Sequence, residues 1–302
     1  MSNVNRRHFL TTGVIAGTGS LLTAGSAAAI NPIRRNNRPL FRLSLAAYSY
    51  RRFLALNNNP TMTLHDFIDR AATMPLDAVE LTGYYFTETS ASYLAGLKGH
   101  CTRLGLDISG SATRNDFCIT NVEQRRQQIT HVKNWIEHTS LLGGKTLRVF
   151  AGRVPNGSTE AQAQQRCIDG FGEVCEHAAN FGVYVALENH GGITGTPEQM
   201  LPIVRGVRSD WFGVNLDTGN FHGRDPYAEL AQLAPYAVNV QVKTEIRRAG
   251  QNRSEDADLP RLVRILREAN YRGYIALEHE ANEDPRTAVP QHLAALNRAI
   301  SG

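Results

Sequence analysis

From residue 41 onward, short apolar runs rich in β-branched side chains alternate with longer stretches whose apolar residues recur at helical spacing. Short continuous apolar runs suit strands buried on both faces, and their alternation with amphipathic helices is the pattern of repeated βα units around a parallel sheet. Eight such runs occur, at residues 41–47, 78–82, 106–111, 146–151, 183–188, 212–217, 238–243 and 274–278. Helices are expected between them, the longest over 63–73, 121–142, 159–181 and 285–300. Eight units predict closure into a (β/α)8 TIM barrel, an α/β fold that at this length forms one domain.

The punctuation agrees. Gly105, Gly182 and Gly273 each fall just before a strand, where glycine ends the preceding helix in a left-handed conformation. Asp225-Pro226 and Asp284-Pro285 are cap residues followed by proline at the first helical position. An open doubly wound sheet would want a glycine-rich phosphate loop after the first strand, and Tyr48-Ser49-Tyr50-Arg51-Arg52 is nothing like one.

Before the barrel the pattern changes. Residues 1–29 read as a twin-arginine export signal: Arg6-Arg7 followed by His8-Phe9-Leu10, a mild apolar run, and Ala27-Ala28-Ala29 as a cleavage site. Residues 30–40 then form a linker, 41–302 the catalytic barrel, and the expected address is the periplasm. The apolar run holds too many Gly, Ser and Thr for a spanning helix, so no stable membrane anchor is expected. The formal charge of +4 falls to +2 without Arg6 and Arg7, too little for a nucleic-acid footprint. Four cysteines without CxxC spacing read as inert buried thiols.

The chemistry lies at the ends of the last four strands, where Glu188, Asp217, Gln241 and Glu278 interrupt otherwise apolar runs. In a (β/α) barrel those ends converge on the face that carries active sites. Three carboxylates crowded there repel one another unless a cation neutralises them, and one divalent metal does so economically. Two Glu, one Asp and one Gln form an all-oxygen set suited to Mn²⁺ or Mg²⁺ rather than Zn²⁺. By strand alternation His190 and Lys243 share the faces of Glu188 and Gln241, the first to bind substrate or act as an acid, the second to neutralise a developing enolate. Glu80 and Arg148 are further pocket candidates, Arg247 and Arg248 are candidates for an anionic group, and Tyr48, Tyr50, Tyr84, Tyr85 and Phe86 could floor or cover a sugar ring.

The segments Leu187-Glu188-Asn189-His190, Asn215-Leu216-Asp217-Thr218-Gly219-Asn220, Val240-Gln241-Val242-Lys243 and Gly273-Tyr274-Ile275-Ala276-Leu277-Glu278 resemble the last four strands of the xylose isomerase-like sugar phosphate isomerase/epimerase family. The resemblance implies a metal held by Glu188, Asp217, the third-strand residue and Glu278. It departs at Gln241, where the family carries His, and at Asn220, where its ketose 3-epimerases carry a substrate-binding His. It implies a metal-dependent isomerase or epimerase in which Glu188 and Glu278 pass a proton next to a carbonyl through an enediolate. Export argues for a small free carbohydrate or keto-sugar rather than a sugar phosphate. The same enolate could expel a β-substituent, making a lyase, dehydratase or keto-glycoside deglycosidase, and a carbohydrate-binding protein without catalysis is the non-enzymatic alternative. An endonuclease IV-like site would need several histidine ligands, which the early strand ends lack. A homo-oligomer, and a partner oxidoreductase that supplies a keto-sugar, stay open.

Overall fold

The computed structural model describes residues 30–302, so the export signal read over 1–29 lies outside the described residues. Among the described residues ten strands occur in chain order: β1 (Leu40–Ala46), β2 (Ala78–Thr82), β3 (Asp107–Ala112), β4 (Thr146–Val149), β5 (Tyr184–Glu188), β6 (Phe212–Asp217), β7 (Ala237–Lys243), β8 (Glu245–Ile246), β9 (Glu255–Asp256) and β10 (Arg272–Glu278). Eight of them close into a parallel barrel in the order β1-β10-β7-β6-β5-β4-β3-β2. The pair β8 and β9 forms a small antiparallel hairpin over the barrel mouth, which the sequence pattern did not signal because each strand is two residues long.

Helices on the outside start where side chains cap them. Thr63 and Thr159 each close a capping box with the third helical residue, Asp66 and Gln162, while Asp225 and Asp284 cap helices that open with Pro226 and Pro285. Such caps satisfy amides that the helix itself leaves free. Gly105 and Gly182 take the expected left-handed conformation, at φ 75° and 66°. Gly273 does not. It lies inside β10, and the left-handed position belongs to Asn270 at φ 52°, three residues earlier, because the strand begins sooner than its apolar run suggests. Among the described residues no helix is long and apolar enough to cross a membrane, and all four cysteines are buried free thiols.

The space between barrel and helices is apolar, filled by Leu45, Phe67, Leu81, Phe171, Leu187, Val240 and Leu277, among others. The barrel interior is polar. Ser44 and Ser109 share a hydrogen bond of 2.8 Å, and above them Glu80, Asn215, Asn239 and Gln241 are all buried. Contacts, more than strand register, sort the storeys: Asp217 pairs in register with Gln241 and Glu278 with Lys243, but the Gln241 side chain meets Glu80 and Asn215, and the Lys243 side chain meets Asp217 and Glu278.

Candidate functional site

The lower storey is a closed amide–carboxylate network. Asn239 Nδ2 donates to Glu80 Oε2 at 3.0 Å and to Asn215 Oδ1 at 2.7 Å. Gln241 Nε2 donates to Glu80 Oε1 at 2.6 Å, and Gln241 Oε1 accepts from Asn215 Nδ2 at 2.7 Å. Each amide is therefore oriented by its neighbours. Burial, reinforced by the nearby Glu278 charge and opposed by Arg148, pushes the Glu80 carboxyl up to about 7. Glu80 thus belongs to the layer that holds Gln241, whereas Gln241 reaches toward the barrel interior with both ends of its amide engaged.

That arrangement makes a first test. Gln241→Ala leaves Glu80 with one amide donor fewer and Asn215 Nδ2 without its acceptor, both in a buried layer. The expected loss is about 1–3 kcal/mol of stability, measured by urea denaturation in the presence of a chelator. An unchanged midpoint would mean that the network contributes nothing to the fold.

The upper storey carries the charges. Lys243 Nζ sits among three acids, 3.2 Å from Asp217 Oδ2, 3.0 Å from Glu280 Oε2, and in contact with Glu278 Oε2. Burial opposes its charge, but Asp217, Glu278 and Glu280 outweigh that and hold the ammonium well above its ordinary value. Across the barrel Arg148 Nε lies 2.8 Å from Glu188 Oε2, and the other Glu188 oxygen accepts from Asn220 Nδ2 at 3.0 Å. Burial pushes Glu188 up to about 7 against the pull of Arg148, and burial raises Asp217 well above the usual carboxylate range against the pull of Lys243.

Arg148 is fixed from several sides. Its Nη1 donates to Thr113 O at 2.9 Å and to Tyr84 Oη at 3.1 Å, and the guanidinium lies 4.1 Å over the Phe150 ring. Asn189 pins the β5–β6 crossing: its Nδ2 donates to Asp217 O and its Oδ1 accepts from Asp217 N, both at 2.9 Å. His190 departs from the expected alternation, because β5 ends at Glu188 and the chain turns outward at Asn189. The residue is exposed, but its ring packs against Phe150 at 4.4 Å between centroids, and burial, with the Arg148 and Lys243 charges, lowers the imidazole to about 4. Asn220, Lys243 and Arg247 line one cavity of about 300 Å³ at the mouth, together with Glu280 and His222.

Two buried carboxylate oxygens, Glu188 Oε2 and Asp217 Oδ2, meet cations at 2.8 and 3.2 Å but make no well-aligned hydrogen bond. Five carboxylates, Glu80, Glu188, Asp217, Glu278 and Glu280, share this region with two cations, Arg148 and Lys243. Acids in excess of cations, with poorly aligned partners at two buried oxygens, are what a hard divalent cation satisfies. Glu188, Asp217 and Glu278 fit one by their chemistry. Gln241 can add its carbonyl through the lone pair that Asn215 does not use.

The structure thus brings Glu188, Asp217, Lys243, Glu278, Asn220 and Arg148 into one upper cluster, with Glu80 and Gln241 directly below. Sequence reading missed Asn215, Asn239 and Glu280. Each stands two residues from a recognised site position on the same strand or strand end, so the period-two rule that found Lys243 could have found them.

A search of curated proteins found no match. Solved structures share the fold at low identity. The D-psicose 3-epimerase from Clostridium cellulolyticum H10 matches at 14% identity, with a TM-score of 0.70, over 86% of this chain and 99% of the other. An L-ribulose 3-epimerase matches at 15%, TM-score 0.70, over 87% and 95%. The 3-keto-D-glucoside 4-epimerase from E. coli matches at 16%, TM-score 0.65, over 86% and 100%. The sequence itself matches the family described as xylose isomerase-like TIM barrel over residues 68–299, which is most of the chain, and the protein belongs to that family.

Proposed function

We propose that the protein is a metal-dependent isomerase or epimerase of a free sugar or keto-sugar. The observation that carries this reading is the convergence of buried Glu188, Asp217 and Glu278 at the barrel mouth, in excess of the cations beside them and with Lys243 between two of them. The epimerase names of the structural neighbours agree with it.

Glu188, Asp217 and Glu278 would hold a divalent ion, Mn²⁺ or Mg²⁺, with Gln241 as a weaker fourth oxygen. When bound, such an ion polarises a carbonyl and stabilises negative charge on its oxygen. The rest of the chemistry belongs to the chain. Glu188, held between Arg148 and Asn220, is placed to take a proton from the carbon next to the carbonyl and to give one back. Glu278, on the strand across β7 and β6, does the same from the other side. Return to the same carbon from the far side is epimerisation, and return to the neighbouring carbon is isomerisation. Lys243 presents an ammonium to the developing enediolate, while Arg148 and Asn220 set the orientation of the Glu188 carboxylate. The cavity lined by Asn220, Lys243 and Arg247 receives the sugar hydroxyls.

Turnover of free pentoses, hexoses and 3-keto-glycosides by metal-loaded protein, with products read by NMR and mass, tests the reaction class. A product of unchanged mass is expected. A released fragment and an unsaturated sugar would move the assignment to a lyase or deglycosidase, and binding without product to a carbohydrate-binding protein. Elemental analysis should find one divalent ion per chain, lost in Asp217→Ala.

The same reading includes export. Arg6→Lys with Arg7→Lys should leave folded protein in the cytoplasm, because the paired guanidinium groups are what the translocase reads. Undiminished periplasmic delivery in cell fractionation would remove the twin-arginine assignment.

A further inference from the structure

Beside the carboxylate cluster, on the same face of the barrel, lies a second and larger cavity of about 530 Å³. It is built by the turns after β1, β2 and β3, the three strands whose ends contribute least to the cluster itself. Tyr48, Tyr84 and Tyr85 form its wall, packed together with ring centroids 6.1–6.5 Å apart. The rim carries three guanidinium groups, from Arg51, Arg52 and Arg114, and the lining contains no carboxylate.

The rim cations are held in place. Arg51 donates to the backbone oxygens of His279 and Glu280, and its guanidinium lies 5.3 Å from the Tyr48 ring centroid. Arg52 donates to Asn282 O at 3.0 Å, and the exposed Arg114 lies 5.0 Å over the Tyr84 ring. Tyr84 joins the cavity to the site, because its hydroxyl accepts from both Nη atoms of Arg148, whose Nε faces Glu188. A ligand reaching across Tyr84 would therefore touch both regions. The carboxylate cluster repels an anion, whereas the neighbouring cavity attracts one, and this division of charge favours a ligand that is neutral at its reacting end and anionic at the other.

We propose that this cavity is a subsite for a second, anionic sugar ring, one that carries a carboxylate or a phosphate and is joined to the uncharged sugar at the carboxylate cluster. The half-buried rings of Tyr48 and Tyr84 offer apolar surface to ring C–H groups, and Arg114 and Arg52 on the rim pair with the anion. Planar guanidinium groups pair well with either oxyanion, because both offer two oxygens to the fork. The inference rests on the sugar reading of the neighbouring carboxylates, but its test does not depend on turnover.

Titration calorimetry with D-glucuronate, D-glucose 6-phosphate and D-glucose compares one ring with a carboxylate, a phosphate or no charge. At least one anionic ring should bind about 10-fold or more tightly than glucose, the scale expected for a charged hydrogen bond, and which one does so identifies the anion. That preference should collapse in Arg114→Gln and in the double variant Arg52→Gln with Arg114→Gln, both changes being at exposed positions. Equal affinities for all three rings in the parent protein, or a preference that survives in the double variant, would overturn the proposal. Solvent exchange at the carboxylate site reports on the reaction alone, so a failure of either reading is seen separately.

Discussion

Replacing Glu188 or Glu278 by glutamine is expected to lower turnover by roughly 10²-fold to 10⁴-fold, the usual contribution of a positioned general acid or base. Glutamine keeps an oxygen of similar reach and removes the proton acceptor, so both folding and sugar binding should persist. Steady-state rates combined with calorimetric binding check this. The two variants should also differ in kind. A half-reaction that washes solvent hydrogen into substrate without forming product survives loss of the proton-returning group and not loss of the abstracting one. If either glutamine variant retained the parent kcat/KM, its carboxylate would carry no proton, and the assignment of the site would have to change.

The second large effect concerns Lys243. Its ammonium is buried among Asp217, Glu278 and Glu280, so Lys243→Met leaves Asp217 and Glu278 without their buried counter-charge. Breaking one side of a buried ion pair costs about 3–5 kcal/mol, and that loss should appear as a lowered Tm in EDTA. Divalent cation should then restore much of it, since a ligand that binds only the folded state stabilises by about 2.7 kcal/mol at a hundred times its Kd. The Tm of Lys243→Met should accordingly depend more steeply on added Mn²⁺ than that of the parent. Equal melting temperatures in EDTA would mean that the ammonium does not hold these carboxylates.

The fold was legible because each of the eight barrel strands is an apolar run bounded by a residue with a physical reason to be there. Gly105 and Gly182 end helices where only a residue without Cβ turns left-handed at little cost, and Asp225-Pro226 and Asp284-Pro285 start helices by capping and by a preset φ. Gly273 resembled the first two, but position before an apolar run does not distinguish a helix terminator from a strand residue, and Asn270 had taken that role.

The upper storey of the site was legible for a similar reason: Glu188, Asp217 and Glu278 each break an apolar pattern at a strand end. Gln241 was found by the same break, but a break in pattern does not reveal depth. Its amide belongs to a layer whose other members, Glu80, Asn215 and Asn239, come from three separate strands. The partners of Arg148 and Lys243 were hidden for the same reason, since strand alternation gives a side chain its face and only closure of the barrel gives it its neighbours.

The most direct measurement of the central claim is solvent hydrogen exchange. Metal-loaded protein turning over a competent free ketose or 3-keto-glycoside in D₂O should place deuterium on a carbon adjacent to the carbonyl, at a rate that falls in whichever of Glu188→Gln and Glu278→Gln removes the abstracting base, and in the double variant. Mass and NMR locate the label. Product formed without any solvent deuterium at that carbon, or label incorporated equally fast by the double variant, would contradict proton abstraction by these carboxylates.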